Sequence, residues 1–343
     1  MKVLILGVNG FIGSHLTDRI LLGTDWEVVG MDLANGKVKE HLNSPRFTFF
    51  QGDISLSGEW IESQVEHCDI VLPLVAIATP KVYVTDPLRV FELDFEENLK
   101  VVKHCAKHHK RLLFPSTSEV YGMCPDAEFD EEQSNLVTGP ISKNRWIYST
   151  SKQLLDRVIW AHGFQKGLQF TLFRPFNWMG PRLDSLAAAK GGSSRLVTQF
   201  TANLLNGEPL NLVDGGYARR CFCDISDAMD GLMAILANQG GRADGKIFNI
   251  GNPSNEKSVR EIAEAMIEIW NSHPFRKQMG LKEGSLKETK SGEYYGEGYQ
   301  DVSRRVPSIR RMQETFGFSP KVGLRESLEK AMNFFIEEFK STT

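Results

Sequence analysis

Along the first 175 residues, short apolar runs alternate with stretches in which apolar residues recur every three or four positions. Lys2–Leu6, Glu27–Met31, Phe47–Gln51, Ile70–Leu74 and Arg111–Pro115 read as strands, most of them apolar throughout. Unbroken apolar runs fit strands covered on both faces. Phe11–Leu22, the long Leu88–His109 stretch and Ile147–Phe164 carry helical periodicity, and Gln169–Arg174 reads as a sixth strand. Strands alternating with helices predict an α/β, Rossmann-like, doubly wound parallel sheet with right-handed crossovers.

After Pro175 the pattern changes. Gly180-Pro181, Gly191-Gly192, Gly215-Gly216 and Gly240-Gly241 divide the chain into short pieces. Residues 272–300 are polar and glycine-rich and read mainly as loop, while helices return at Ser258–Trp270 and Leu324–Phe339. The expected division is a dinucleotide-binding sheet domain over 1–175, to which elements of the second half return, and a smaller α/β substrate lobe over 176–343.

Composition narrows the function class. The chain has 343 residues, with 40 Lys+Arg against 43 Asp+Glu. That balance argues against a duplex nucleic-acid partner or a polybasic membrane anchor. Ile70–Ala78 is the longest apolar run and about half a membrane span. The five apolar-leaning residues after Lys2 are too few for a signal-peptide core. Five scattered cysteines without a C-x-x-C pair fit a reducing, cytoplasmic compartment.

The first strand runs straight into Gly7-Val8-Asn9-Gly10-Phe11-Ile12-Gly13. Gly7 permits the tight turn, Gly10 lets the backbone approach a pyrophosphate, and Gly13 lets the helix pack close to the strand. Phe11 and Ile12 belong to the same cofactor-binding segment. Asp32 follows at the end of the second strand, nineteen residues past Gly13, where a carboxylate accepts ribose hydroxyls. It would also repel a 2′-phosphate, which selects NAD over NADP. Asp53 and Ile54, after the third strand, are placed to reach the adenine edge.

Tyr148-Ser149-Thr150-Ser151-Lys152 sets a phenol and an ammonium four residues apart on one helix face. A free phenol is too weak an acid to serve as a base at neutral pH. A neighbouring ammonium and a positive nicotinamide ring favour the phenolate, which can then take a hydroxyl proton as the carbon loses hydride. Both residues therefore count as catalytic and as cofactor contacts.

With these motifs the chain resembles the extended short-chain dehydrogenase/reductase family, which acts mainly on nucleotide sugars. The resemblance implies a third catalytic element in Ser116-Thr117-Ser118-Glu119-Val120-Tyr121-Gly122, with Thr117 bonding the sugar oxygen at the oxidised carbon. Nucleotide-sugar 4,6-dehydratases carry Asp-Glu at the next two positions, and epimerases typically carry small residues. Ser118-Glu119 lacks the water-expelling acid and is similar to UDP-glucuronate decarboxylases. Phe114–Cys124, Arg145–Ser149, Ser151–Trp160, Phe173–Arg182 and Tyr299–Val302 resemble the decarboxylase domains of bifunctional polymyxin-resistance enzymes.

That resemblance implies NAD-dependent oxidative decarboxylation of UDP-glucuronic acid to a UDP-4-keto-pentose, CO₂ and NADH. Tyr148 would remove the 4-hydroxyl proton, and the resulting β-keto acid would lose CO₂ through an enolate. Glu119 and Arg305 are implied for this second stage, Arg305 as proton donor or charge stabiliser and Glu119 as acceptor or orienting group. Substrate contacts carried over are Ala78 and Tyr83 beside the sugar, Thr117 and Ser118, Arg145, Asn177 at the diphosphate or sugar, and Arg220 and Tyr299 at UDP. Arg182, with Arg220 and Arg305, lies in a segment expected to face the pyrophosphate and carboxylate.

Alternatives share much of this machinery. Bound NADH could re-reduce the ketone to UDP-xylose; an epimerase, a dehydratase or a non-catalytic NAD-sensing module fits less well. Relatives pair through helices matching Leu88–His109 and Ile147–Phe164, which implies a homodimer or higher homo-oligomer. A route to cell-envelope aminopentose is implied by likeness alone. Met1 stands six residues ahead of Gly7, so the formyltransferase domain of the bifunctional relatives is not expected and a stand-alone enzyme is. No metal is expected: His104, Cys105 and His108 read as a solvated helix face, and Cys221 and Cys223 as core.

Overall fold

The computed structural model describes residues 1–342. Seven parallel strands form the central sheet, in the spatial order Lys246–Ile250, Phe170–Pro175, Arg111–Pro115, Ile70–Pro73, Lys2–Leu6, Glu27–Asp32 and Phe47–Gln51. Val3 and Ile5 point into the core on one face, and Leu4 and Leu6 into a second core on the other. Burial on both sides is why these strands read as unbroken apolar runs. Chain direction across the sheet reverses at the first and fourth strands, so the loops after Leu6 and Pro73 flank a crevice at their carboxyl ends. Ligands bind at such a switch point in open α/β sheets.

Two differences from the sequence reading have physical causes. The Leu88–His109 stretch is not one helix. It divides into Pro87–Phe91, a π-helical turn over Glu92–Glu97, and Asn98–Lys107, preceded by a further helix at Pro80–Thr85. Pro87 starts a new helix because it has no N–H to continue the old one. Residues 272–300 are more ordered than their composition suggests, with helices at Pro274–Met279 and Ser291–Tyr294 and a strand at Leu286–Thr289. That strand pairs in parallel with Leu210–Val213, a long-range contact that no local pattern announces. Lys246–Ile250 adds the seventh strand beside Phe170–Pro175, so the second half completes the sheet.

Arg219–Cys221 pairs antiparallel with Glu256–Ser258 on one side and parallel with Arg304–Arg305 on the other. The helix Val259–Ser272 starts from a capping box in which Ser258 accepts from the Glu261 N–H and Glu261 accepts from the Ser258 N–H. All five cysteines are free and buried, Cys221 and Cys223 among them. Among the described residues no helix is long and apolar enough to cross a membrane.

Candidate active site

The glycine loop sits on the crevice at the switch point. Gly7 has φ of +88°, a left-handed conformation that favours glycine, and its N–H donates to Met31 O at 2.8 Å. A Cβ on Gly13 would lie 2.4 Å from Gly7 O and 2.8 Å from the Val8 Cα, so the helix Phe11–Gly23 could not approach the strand with any larger residue there. Phe11 is buried, with the Arg195 guanidinium over its ring at 5.2 Å, and Ile12 is half-buried. Asp32 closes the second strand, its carboxylate accepting from the Asn9 N–H at 2.9 Å and the Leu33 N–H at 2.8 Å. Burial pushes its carboxyl up, and those backbone donors oppose the rise. Asp53 is half-buried and accepts from the Ser55 N–H, and Ile54 is buried. This cradle fits a dinucleotide: close backbone approach, a helix N-terminus and a carboxylate at the strand end.

Tyr148 and Lys152 lie one turn apart on the buried face of the helix Trp146–Lys166. Tyr148 shares a hydrogen bond with Thr117, which caps the turn Ser118–Tyr121 by accepting from the Glu119 N–H at 3.2 Å. The Tyr83 ring stacks on Tyr148 with centroids 4.7 Å apart and planes 7° from parallel. Burial, then the charge of Asp94, pushes the Tyr148 phenol well above its ordinary value, while the Thr117 hydrogen bond opposes them. The expected pull of Lys152 on the phenol is therefore not the governing influence. The Lys152 ammonium faces elsewhere: it donates to Pro115 O at 3.2 Å, lies over the Phe114 ring, and stands 3.5 Å from Asp94 Oδ1. Asp94, on the π-helical turn, is a residue that sequence reasoning missed.

Glu119 is held between two arginines. Arg145 Nη2 donates to Oε2 at 2.5 Å, and Arg305 Nη1 donates to Oε1. Burial opposes ionisation of Glu119, yet Arg145, Arg305 and the nearby Arg220 outweigh it and hold the carboxyl at about 2. Arg305 is brought in by strand register, since Arg304–Arg305 pairs with Arg219–Arg220 residue for residue. The side chains divide accordingly. Arg219 and Arg304 both bond Glu256, whereas Arg220 and Arg305 meet Asp301 and Glu119. Ser118 is buried beside them.

A cavity of about 450 Å³ opens from Arg305, lined among others by Asn177, Arg195, Arg220, Tyr299 and Asp301. Asn177 adopts φ of +40° and donates to Cys221 O at 3.1 Å. Tyr299 stacks on Tyr295 at 4.1 Å and lies 5.6 Å from the Arg145 guanidinium. The structure thus gathers Asn177, Arg220, Tyr299 and Arg305 around one space, with Thr117, Glu119, Arg145 and Tyr148 adjoining through the Glu119–Arg305 pair. Ala78 is exposed on the loop after the fourth strand. Arg182 stands apart, bound to Asp18, His15 and Lys37 O beside the glycine-loop helix rather than in that cavity. Arg195 and Tyr295, which line the cavity, carried no recognisable motif; the paired tyrosines at 294–295 in a polar segment were the available signal.

The His104–His108 face is half-buried rather than freely solvated. Glu62, from the helix Gly58–His67, approaches His104, Lys107 and His108 together, and Cys105 points into the core. Among the described residues no group of three or more potential metal-ligating side chains is assembled.

Over residues 3–251 the chain matches the NAD dependent epimerase/dehydratase family. Among solved structures it is similar to the PbgP3 protein from Burkholderia pseudomallei, at 49% identity over 99% of this chain and 97% of that one, with a TM-score of 0.89. It also shares its fold with UDP-glucose 4-epimerase from Thermotoga maritima, at 23% identity, 99% and 100% coverage and a TM-score of 0.79. The UDP-glucuronic acid 4-epimerase from Bacillus cereus, solved with UDP-glucuronic acid and NAD, shares it at 23% identity, 98% and 100% coverage and a TM-score of 0.80. Joined to the glycine cradle and the Thr117–Tyr148–Lys152 cluster, the family match over most of the chain settles the class: this protein belongs to the NAD-dependent epimerase/dehydratase family and is an enzyme of the nucleotide-sugar type that uses NAD.

Proposed function

We propose that the chain oxidises UDP-glucuronic acid at C4 and decarboxylates the product, releasing a UDP-4-keto-pentose. The observation that carries this reading is Glu119 clasped by Arg145 and Arg305 beside Tyr148, with Ser118 at the position where the dehydratases have their water-expelling acid. The sequence strings that resemble UDP-glucuronate decarboxylases point the same way.

On this reading Thr117 holds the C4 oxygen, and Tyr148 takes its proton. NAD⁺, when bound, supplies the hydride acceptor. Oxidation leaves a carboxylate on C5 beside the C4 ketone, a β-keto acid whose C–C bond cleaves to CO₂ and an enolate. Arg305 then has two partners to choose between, Glu119 and the substrate carboxylate, and its guanidinium stabilises the enolate charge. Glu119, relieved of one arginine, orients the group that returns a proton to C5. Asn177, Arg220 and Tyr299 line the space for the UDP moiety, and Asp32 receives the ribose of the cofactor. Leu88, Trp160 and Phe164 are large exposed side chains on or beside the helices expected to pair copies of the chain, and a homodimer through them belongs to the same proposal.

The test is incubation with UDP-glucuronate and NAD⁺, following NADH and CO₂ and identifying the pentose by NMR. Net NADH with a 4-keto sugar is expected. UDP-xylose without net NADH would show that the ketone is re-reduced before release, and equally fast oxidation of UDP-glucose would remove the carboxylate from recognition.

A further inference from the structure

We propose that Asp94 is a positioning residue for the candidate base: its carboxylate is the buried countercharge of Lys152 and thereby sets the pH at which Tyr148 takes up a proton. The inference rests on the reading of Tyr148 as the base and deepens it.

The geometry is specific. Asp94 and Lys152 are both fully buried, at 0% and 1% exposure. Asp94 Oδ2 accepts from the Ile77 N–H at 2.9 Å, while Oδ1 has no hydrogen-bond partner and stands 3.5 Å from Lys152 Nζ. Among the described residues no other carboxylate comes within 4 Å of that ammonium. Pro115 O and the Phe114 ring offer the ammonium only neutral partners. A buried ammonium without a carboxylate is strongly disfavoured, so Asp94 is what makes a charged Lys152 tolerable in this place.

The local fold is built to deliver this carboxylate. Asp94 sits within the π-helical turn Glu92–Glu97, and such turns occur mostly as single insertions, often at functional sites. Asn98 fastens the turn from below, its Nδ2 donating to Leu93 O at 2.9 Å and to Val75 O at 3.1 Å. Asp94 and Asn98 thus bind the turn to the loop after the fourth strand at two points, Ile77 and Val75. An asparagine at 94 could keep the Ile77 bond. It could not neutralise Lys152.

The electrostatic consequence follows from the same contacts. The Asp94 carboxylate raises the Tyr148 phenol by its own charge, and by pairing with Lys152, one helical turn from Tyr148, it offsets the pull that ammonium would otherwise exert. The other charged or titratable groups facing the pair are Tyr83 from the Pro80–Thr85 helix, Glu119 from the turn after the fifth strand, Asp156 from the Tyr148 helix and Arg195 ahead of the helix Leu196–Asn206. Burial drives the Asp94 carboxyl up to about 6 and Lys152 opposes the rise, so the carboxylate is charged at neutral pH.

The experiment titrates Tyr148 in the NAD-loaded protein, following near-ultraviolet phenolate absorbance as a difference against Tyr148→Phe. Asp94→Asn is expected to move the Tyr148 transition down by about one pH unit or more, because the opposing charge is gone and the ammonium is left. Lys152→Met is expected to move it up. An unmoved or oppositely moved transition in Asp94→Asn overturns the proposal; should that variant fail to fold, an unmoved transition in Lys152→Met does so. No sugar takes part in the titration. Failure to oxidise UDP-glucuronate alongside the expected shift therefore overturns the substrate reading and leaves the role of Asp94 standing.

Discussion

The ring of Tyr83 lies flat on the ring of Tyr148, centroids 4.7 Å apart and planes 7° from parallel. Both rings are buried, so the stack fixes the direction of the Tyr148 hydroxyl toward Thr117. Tyr83→Ala should destabilise the fold by about 3–5 kcal/mol, as loss of a buried aromatic ring does. Tyr83→Phe keeps the stack and should unfold close to wild type. Thermal unfolding of the two variants checks this; equal losses would show that the ring contact is not what matters.

Tyr148→Phe removes the phenol and leaves the stack. NADH formation from UDP-glucuronate should fall by about 10²–10⁴-fold, the usual weight of a general base, with little change in substrate binding. Initial rates and calorimetric titration measure the two quantities. Unchanged turnover would take Tyr148 out of the chemistry.

Glu119 links stability to pH. Its carboxyl is held at about 2 in the folded protein against an ordinary 4.5. A depressed carboxyl contributes stability that is complete above its ordinary value and fades as pH falls toward 2. The contribution is on the order of 3 kcal/mol. The stability gap between wild type and Glu119→Gln should therefore be widest near neutral pH and narrow between about pH 4.5 and pH 2. Denaturant unfolding across that range shows it, and a gap independent of pH would contradict the arginine clasp.

Gly13→Ala places a methyl group 2.4 Å from Gly7 O. The helix must back away from the strand, at about 1–3 kcal/mol. Because the helix N-terminus is the expected phosphate seat, the loss should be read chiefly as weaker NAD binding, by calorimetry or by fluorescence of bound NADH.

How far the sequence carried depended on how local each feature was. Gly7, Gly10 and Gly13 form one turn, and Tyr148 and Lys152 one helical step, so spacing alone reveals them. The Asp94–Lys152 pair joins residues 58 positions apart, and the pairing of Leu286–Thr289 with Leu210–Val213 joins segments even farther apart. Neither leaves a local signature. Arg182 shows the converse. It follows Gly180-Pro181 in a segment expected to face phosphate, yet Asp18 and His15 reach it first. The π-helical turn was hidden because a single wide turn barely disturbs the apolar period on either side of it.

The ribbon that joins Arg219–Arg220 to Arg304–Arg305 has a further consequence. Successive side chains on a strand point to opposite faces, so a slip of one residue would exchange Arg305 for Arg304. Glu256 receives the other pair, Arg219 and Arg304, and so detects such a slip on the face away from the cavity. The ribbon behaves as a keyed joint: alignment is verified by one carboxylate on the outside and used by another, Glu119, on the inside. Substitution at Glu256, which does not line the cavity, would then reach the chemistry as an error of alignment rather than a loss of charge.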